Sequence, residues 1–445
     1  MRREITVRIA PENHARKESA KLSLHYDQQP GSIDLDINGA SLLKVSWIVP
    51  DLSQDFLCIA SCIYAADKAI DRELEEDKWT RNIAIEIPVE HEATWSAVAE
   101  RFSDCIGFLT GDLWEITFRH GEKRVVQKRP RVRRFRRQAL TGHAVCLFSG
   151  GLDSFIGAVN WLADNPNDKL LLVGHFDRDV AGPGADQRSL RDICALHFPN
   201  RMKLAQTQVG LSSGGVDNNF RSRSLLFMAL GCYFAEILDP ACPVLIPENG
   251  PIALNFPLTP SRRGSCSTRT VHPHFVGEIN AILQQVGIGN QISNPYEFLT
   301  KGEMVDQCRA PDVLTAAFAA SRSCAKANRR MHWTNRTARG CGVCIPCLFR
   351  RASLHHSRQD TEVYGNRVED IPNLEETPSD VLALISFLRT QSTDREIASG
   401  LLANGRLPFA KLPEYVSLIK RMRAEVLTWL RSAGSPYIRN EIRAC

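Results

Sequence analysis

The period of the apolar positions divides the chain into stretches of different kind. Ile33-Asp34-Leu35-Asp36-Ile37 alternates apolar and charged residues, as a half-buried strand does, and Asn82 to Val89 alternates again. Between them Phe56 to Asp67 is apolar almost throughout and predicts a largely buried helix, while Leu113 to Phe118 reads as one more strand. From Ala144 onward strands and helices take turns. Ala144-Val145-Cys146-Leu147-Phe148 predicts a buried strand, and Phe155 to Ala163 carries apolar residues at helical spacing. Lys169 to His175 predicts a second strand, followed by a helix around Gln187 to Arg191. Met202 to Thr207, the long helix Arg223 to Leu238 and the strand Pro243 to Glu248 complete the series. Strands alternating with helices of this length imply a parallel, doubly wound sheet, whose ligands bind beyond the carboxyl ends of the strands. Beyond about Pro372, Val381 to Leu388 and Tyr415 to Leu430 predict two helices of a cap packed on that core. No internal repeat is present.

The predicted organisation is an N-terminal α/β accessory domain over 1–122, a basic linker over 123–139, the doubly wound domain over 140–360 and a C-terminal helical region over 361–445. Composition fits it: 445 residues exceed one typical domain, and 43% hydrophobic with 24% charged residues is ample for packed cores. The net charge of +5 suits an anionic ligand without by itself indicating nucleic acid. No apolar run approaches the roughly 20 residues of a membrane span, and Met1-Arg2-Arg3-Glu4-Ile5 has no apolar signal core. A cytoplasmic protein without membrane contact is therefore expected, in which the 14 cysteines do not form a disulfide framework. The N-terminal unit shows no catalytic constellation. Lys123 to Arg137 is densely basic and reads either as a patch for nucleic acid or an acidic partner, or as a solvated linker.

Candidate chemistry concentrates first at Ser149-Gly150-Gly151-Leu152-Asp153-Ser154, on the turn from the Ala144 strand into the following helix. Glycine permits the positive φ such a turn needs and lets backbone N–H groups close on an anion. The helix behind adds the positive end of its dipole, so the turn is suited to phosphate. Ser149 and Ser154 can add hydroxyl donors, and Asp153 can hold a Mg²⁺ that bridges phosphates. The hexapeptide lacks the Gly-Lys-Ser/Thr ending of a Walker loop and the third glycine of a dinucleotide fingerprint.

A second group is Cys324 with Cys341-Gly342-Val343-Cys344-Ile345-Pro346-Cys347. Four thiolates at this spacing suit a tetrahedral Cys₄ zinc, with glycine and proline turning the chain around the metal. An iron–sulfur cluster takes the same ligands. A closed Cys₄ site has no open position for water, so its expected role is structural.

The hexapeptide resembles the PP-loop of ATP pyrophosphatases, which cleave ATP between its α and β phosphates. With the cysteines, Arg221-Ser222-Arg223-Ser224-Leu225-Leu226-Phe227 and Leu299-Thr300-Lys301-Gly302-Glu303, the stretch from Gly142 to Leu354 resembles the QueC family of 7-cyano-7-deazaguanine synthases. The flanking regions and Ser267-Thr268-Arg269-Thr270-Val271-His272-Pro273 are similar to the QatC group, from four-component Qat anti-phage systems. The resemblance implies a HUP (adenine nucleotide alpha-hydrolase-like) fold and adenylation of a 7-deazaguanine carboxylate, followed by amide or nitrile formation. It implies ATP and Mg²⁺ at Ser149, Gly150, Gly151, Leu152, Asp153 and Ser154. Lys301 and Arg223 follow as cationic catalytic contacts beside Asp153, and Cys324, Cys341, Cys344 and Cys347 as zinc ligands.

Gln187, Arg188, Ser267, Thr268, Arg269, Thr270 and His272 are the candidate substrate contacts. QueC has Arg-Asn where this chain has Arg223-Ser224, and its Tyr-Gly-Gln-Arg-His stretch is reduced to Asp186-Gln187-Arg188-Ser189. Its acidic substrate loop is replaced by Arg262 to His274. The nucleophile is then expected to be a protein amine from a partner encoded in the same defence operon. Four alternatives stay open: ordinary synthesis of the nitrile base, tRNA thiolation, lysidine formation, or an inactive ATP-binding scaffold. His175, His272 and His274 are unranked candidates for the base that deprotonates the amine.

Overall fold

The computed structural model describes residues 2–10, 20–26, 32–46, 48–121, 126, 142–177, 182–212, 215–216, 221–259, 269–357 and 359–445. The basic run Lys123 to Arg137, except Val126, lies outside the described residues, as do Ser267 and Thr268. The strands are β1 (Arg2–Ala10), β2 (Ala20–Tyr26), β3 (Ser32–Ile37), β4 (Asn82–Val89), β5 (Leu113–His120), β6 (Ala144–Leu147), β7 (Leu170–Phe176), β8 (Met202–Leu211), β9 (Val244–Leu245) and β10 (Ile292–Ser293). Helices of the first half are α1 (Gly39–Val45), α2 (Leu52–Ala69), α3 (Glu92–Ser96), α4 (Ala99–Thr110), α5 (Leu152–Asp164), α6 (Pro183–His197) and α7 (Arg223–Leu238). The remainder are α8 (Gly250–Leu254), α9 (Pro273–Val286), α10 (Lys301–Asp306), α11 (Pro311–Ala317), α12 (Ile345–His356), α13 (Ser379–Arg389), α14 (Asp394–Asn404), α15 (Leu412–Ala433) and α16 (Pro436–Glu441).

Among the described residues the strands form one ten-stranded sheet, in the order β10-β9-β6-β7-β8-β3-β2-β1-β4-β5. The pairs from β10 to β8 are parallel, as are β1 with β4 and β4 with β5. Antiparallel β1–β2, β2–β3 and β3–β8 pairs join the two blocks. The sheet therefore continues across the predicted boundary between 1–122 and 140–360, with Leu35 opposite Leu211 and Ile37 opposite Val209. In the larger block the chain winds from β6 through β7 to β8, then returns to β9 and β10 on the other side of β6. The strand order reverses between β6 and β9.

The strands of this block are apolar at consecutive positions because both faces are covered. Val145 and Leu147 of β6 and Leu171 and Val173 of β7 pack into a core with α2 and α7. The alternating residues Ala144, Cys146, Leu170 and Leu172 pack with α5, α6, α10 and α11 on the other face. A third core joins α12 to the C-terminal helices α13 to α16. Helices α2 and α7 are buried along nearly their whole length, which explains why their apolar residues follow no single stripe. The predicted strand Pro243 to Glu248 shortens to β9. Pro243 and Pro247 bracket it, and neither has an N–H for a ladder. No helix of the described residues is long and apolar enough to cross a membrane.

A buried ion network ties α2 to α7. Asp67 accepts from Ser222 N at 2.9 Å and Ser222 Oγ at 2.7 Å, at the start of α7, and from Arg81 Nη2 at 2.5 Å. Arg72 and Arg81 both reach Asp112, at 2.6 and 2.7 Å. Removing one member would strand a buried charge, at a cost of roughly 3–5 kcal/mol.

Candidate active site and metal centre

The Ser149–Ser154 hexapeptide sits where β6 ends, beside the reversal of strand order. Such a crevice is where open α/β sheets bind ligands. Gly150 has φ +89°, and a Cβ there would lie 3.3 Å from the Asp186 Cβ. Gly151 is the N-cap residue of α5, and its N–H is 3.3 Å from Ser149 Oγ. Ser154 Oγ donates to Gly151 O at 3.0 Å and lies 3.2 Å from Ser149 Oγ. The loop is closed on itself, with the first-turn N–H groups of α5 at its open end.

Beneath it Asp153 is buried and ion-paired with Lys301, the first residue of α10. Asp153 Oδ2 also accepts from Asn249 N at 3.1 Å and Asn249 Nδ2 at 2.7 Å. Asn249 Nδ2 donates to Glu248 Oε1 at 3.0 Å as well. Burial alone would raise the Asp153 pKa. The Lys301 ammonium and hydrogen bonds from Glu248, Lys301 and Asn249 outweigh it and hold Asp153 well below the usual carboxylate range. Burial and the Asp153 charge push Glu248 the other way, well above its ordinary value. Lys301 is placed by a capping box: Thr300 Oγ1 accepts from Glu303 N at 3.1 Å, and Thr300 N donates to Glu303 at 2.9 Å. Thr300 also donates to Glu425 of α15, so the C-terminal cap touches the element carrying Lys301.

Two arginines from the cysteine region, Arg322 and Arg339, close on Asp186 of α6, which lies against the loop. Arg322 N donates to Gly150 O at 3.1 Å, and its guanidinium pairs with Asp186 at 2.9 Å. Arg339 meets the other Asp186 oxygen at 2.6 Å.

The remaining predicted residues are spread along the sheet edge. Arg223 stands over Phe227 at 5.4 Å, in a group with His175, Asp177, Tyr64 and Lys68 rather than with Lys301. In that group Lys68 and Tyr64, both from α2, donate to Asp177 at 2.5 and 3.0 Å. Gln187 is buried against the loop, donates to His175 O at 3.1 Å and accepts from Gln206 at 2.8 Å, so its amide is engaged within the protein. Arg188 is exposed and reaches Gln206 at 3.2 Å. Arg269 donates to Phe108 O at 2.9 Å, Thr270 is half-buried beside it, and His272 is the N-cap of α9. Burial, then nearby arginines, lower His175 and His272 to about 3, so both are neutral at physiological pH. Burial also lowers His274.

Glu248 and Asn249 were not singled out in the sequence, and neither were Arg322 and Arg339. The signal available for the first pair was positional: they follow the strand that neighbours β6. For the arginines it was their closeness to Cys324 and Cys341.

The sulfurs of Cys324, Cys341, Cys344 and Cys347 all lie within 4.8 Å of one another. Those of Cys341 and Cys347 are 3.9 Å apart. Sulfurs about 2.3 Å from one tetrahedral zinc are about 3.8 Å apart, so the cluster can hold a metal such as zinc. Backbone N–H groups of Cys341 and Cys344 point at the sulfurs of Cys324 and Cys341, each at 3.3 Å, as metal-bound thiolates require. Gly342, at φ +81°, makes the turn between ligands, and a Cβ there would meet Asn366 O at 2.2 Å. Cys347 lies in the first turn of α12, which Arg350 fixes to Phe318 O at 2.8 Å and Ser321 Oγ at 3.0 Å. With four ligands the centre is closed. It joins α12 to the Arg322 segment that touches the glycine loop. No protein-family model matches the chain, and none of the curated proteins does.

Proposed function

We propose that the chain is an ATP-dependent synthase of the QueC type, akin to the QatC proteins of Qat anti-phage systems, and that it adenylates a 7-deazaguanine carboxylate. In this reading 140–360 has the HUP-type fold, the cysteine centre holds zinc, and the protein works in the cytoplasm. The observation that carries the proposal is the glycine loop at the reversal of strand order, with Asp153 and Lys301 in contact beneath it.

The chemistry asks little of side chains beyond binding and charge. The carboxylate oxygen attacks the α-phosphorus of ATP and pyrophosphate leaves. An amine then attacks the acyl carbon of the adenylate, and AMP leaves as the amide forms. Loop N–H groups and the Ser149 and Ser154 hydroxyls donate to phosphate oxygens. Lys301 exchanges Asp153 for a phosphate oxygen and offsets the charge that grows on the leaving pyrophosphate. Asp153, so released, would hold a hard cation, together with Glu248 once Glu248 gives up the proton it shares with Asp153. Mg²⁺ held there would neutralise phosphate oxygens. The amine comes from a partner protein of the same operon. That assignment is motivated by the extra N-terminal strands and the departures from QueC at Ser224 and Asp186 to Ser189.

The test is the product formed by purified protein with ATP, Mg²⁺ and 7-carboxy-7-deazaguanine, with and without ammonium, read by mass spectrometry. AMP with a base amide or nitrile supports the chemistry. Nitrile formed from ammonia alone, without any partner, identifies ordinary base synthesis instead. ATP bound with no AMP released, every operon partner being present, leaves a scaffold.

A further inference from the structure

The segment between the first two cysteines of the metal centre lies in a strongly basic stretch. Residues 313–359 contain no Asp or Glu, in a chain that has 50 of them, yet carry Lys326 and eight arginines. Five of these cations are taken by acidic neighbours. Arg350 pairs with Glu362, Arg351 with Asp360 and Glu369, Lys326 with Asp380, and Arg322 and Arg339 share Asp186. Arg358 lies outside the described residues. Arg329, Arg330 and Arg336 are what remains. All three are exposed, and none makes an ion pair among the described residues.

The backbone that carries them is tied down at several points. Arg329 and Arg330 lie on a 3₁₀ turn, Ala327–His332, directly before Trp333. Trp333 is buried, with its ring so close to Gly365 that a Cβ there would meet it at 2.6 Å, and Arg330 stands over the ring at 5.9 Å. Asn335 N donates to Gly365 O at 2.8 Å, and Thr334 N to Asn366 Oδ1 at 3.1 Å. Cys324 and Cys341 anchor both ends of the segment at the metal centre. Cations on a backbone already held in place cost less entropy to bring onto a partner.

The charge has one sign, and that narrows the partner. Protein surfaces mix both signs, and protein interfaces deplete charge at their centres, so a protein partner calls for a mixed patch. A nucleic-acid strand presents one phosphate charge about every 3.4 Å and nothing of the opposite sign. Arginine suits it better than lysine, since the planar fork donates two N–H groups to one phosphate and stacks on bases. The six-residue turn is neither the α-helix nor the β-ribbon that enters a duplex groove, which favours a single strand.

We propose that the segment from Cys324 to Cys341 binds the phosphate backbone of a single-stranded nucleic acid through Arg329, Arg330 and Arg336. The inference goes beyond adenylation and does not depend on it. Arg339, exposed in the same segment, meets Asp186 against the glycine loop, so a strand held here runs beside the candidate active site.

The test is fluorescence anisotropy on the full chain across a salt series. The probes are a labelled RNA strand and a DNA strand of about 20 nucleotides, longer than one site, with the DNA duplex and a glutamate peptide of equal length. Both strands should bind more tightly than the duplex or the peptide. Each phosphate contact adds about 0.7 to the slope of log affinity against log salt. Arg329→Gln, Arg330→Gln and Arg336→Gln together should therefore lower that slope by about 2 and the affinity at least about tenfold near 0.1 M salt. The melting temperature should stay that of the parent, because the three side chains are exposed and unpaired. A control with Arg8→Gln, Lys44→Gln and Lys203→Gln, exposed cations on β1, α1 and β8, should keep the parent's slope. No strand binding by the parent, an unchanged slope in the triple variant, or an equal loss in the control overturns the proposal. Tighter binding of the duplex overturns it too. So does a glutamate peptide held as tightly as the strands and released by the triple variant, which identifies an acidic protein instead. AMP formation without nucleic acid reports on adenylation separately, and the triple variant should match the parent there whatever the oligonucleotides do.

Discussion

Replacing Lys301 with Met removes one half of a buried pair and leaves the other half where it was. Asp153 and Lys301 are both more than nine-tenths buried, so neither charge can turn to water. Loss of one partner from such a pair costs about 3–5 kcal/mol. Here the lower end is expected, because Asn249 N and Nδ2 still donate to Asp153 at 3.1 and 2.7 Å. Each hydrogen bond to a charged group is worth about 1.5–3 kcal/mol. The cost also depends on pH in a defined direction. With Lys301 gone, burial acts on Asp153 with less opposition and its folded-state pKa rises above the unfolded value of about 3.9. The folded variant then holds a proton that the unfolded chain releases, so its stability falls as pH rises through that window. Lys301→Met is therefore expected to lose about 3 kcal/mol at pH 8 by denaturant unfolding and markedly less at pH 5. Asp153→Asn combined with Lys301→Met removes both charges and should recover most of the loss. A Lys301→Met cost below about 1 kcal/mol at pH 8, with the Asp153→Asn cost simply adding to it, would refute the buried coupled pair. It would also remove the basis for Lys301 as a cation held in reserve for phosphate.

Two other substitutions test features around that pair. Cys344→Ser should reduce bound metal from about one zinc per chain to near none, read by elemental analysis, and lower the melting temperature, since metal binding free energy is folding free energy. A metal that is iron, with visible charge-transfer absorption, would replace zinc by a cluster. Burial pushes Glu425 up to about 7, only partly offset by the hydrogen bond from Thr300. Its folded pKa exceeds its unfolded one, so it costs the protein stability progressively as pH rises from about 4.5 to 7, and the full cost remains above that. Glu425→Gln should accordingly raise the melting temperature at pH 8 and leave it nearly unchanged at pH 4.5; equal effects at both would show Glu425 to be solvated.

What was legible in the sequence is what is encoded locally. The glycine loop joins a strand and a helix that are consecutive in the chain, and the cysteine triplet spans a single turn of chain, so residue type and spacing suffice. Lys301 follows a threonine and precedes a glutamate at capping-box spacing, a pattern that depends on nothing distant. Glu248 carries no such mark. Its raised pKa comes from burial and then from the Asp153 carboxylate, brought beside it by the strand order, and topology is not written in any window of residues. Arg223 shows the converse. Its position at the start of α7 was clear, but its neighbours His175, Asp177, Tyr64 and Lys68 come from β7, the loop after it and α2. Strand β1 has the alternation too, with Ile5 and Val7 buried and Arg8 exposed. The division of the chain into consecutive units hides the fact that it pairs with β4, beyond α2.

That pairing bears on how the N-terminal strands relate to the candidate site. A module hung on a linker would share few contacts with the rest of the chain, whereas β3 pairs with β8 and α2 packs on α7. Asp67 holds the first turn of α7, the helix that begins with Arg223, and Lys68 holds Asp177 at the carboxyl end of β7. Both belong to α2. The carboxyl edge of the parallel block is thus built from two directions: the N-terminal helix fixes the β7 and α7 end, and the C-terminal cap, through Glu425 and Thr300, fixes the end that carries Lys301. A site whose opposite ends are held by opposite ends of the chain is complete only when both have folded. The flanking segments therefore belong to the architecture of the candidate site itself, which argues against treating 140–360 as a self-sufficient unit.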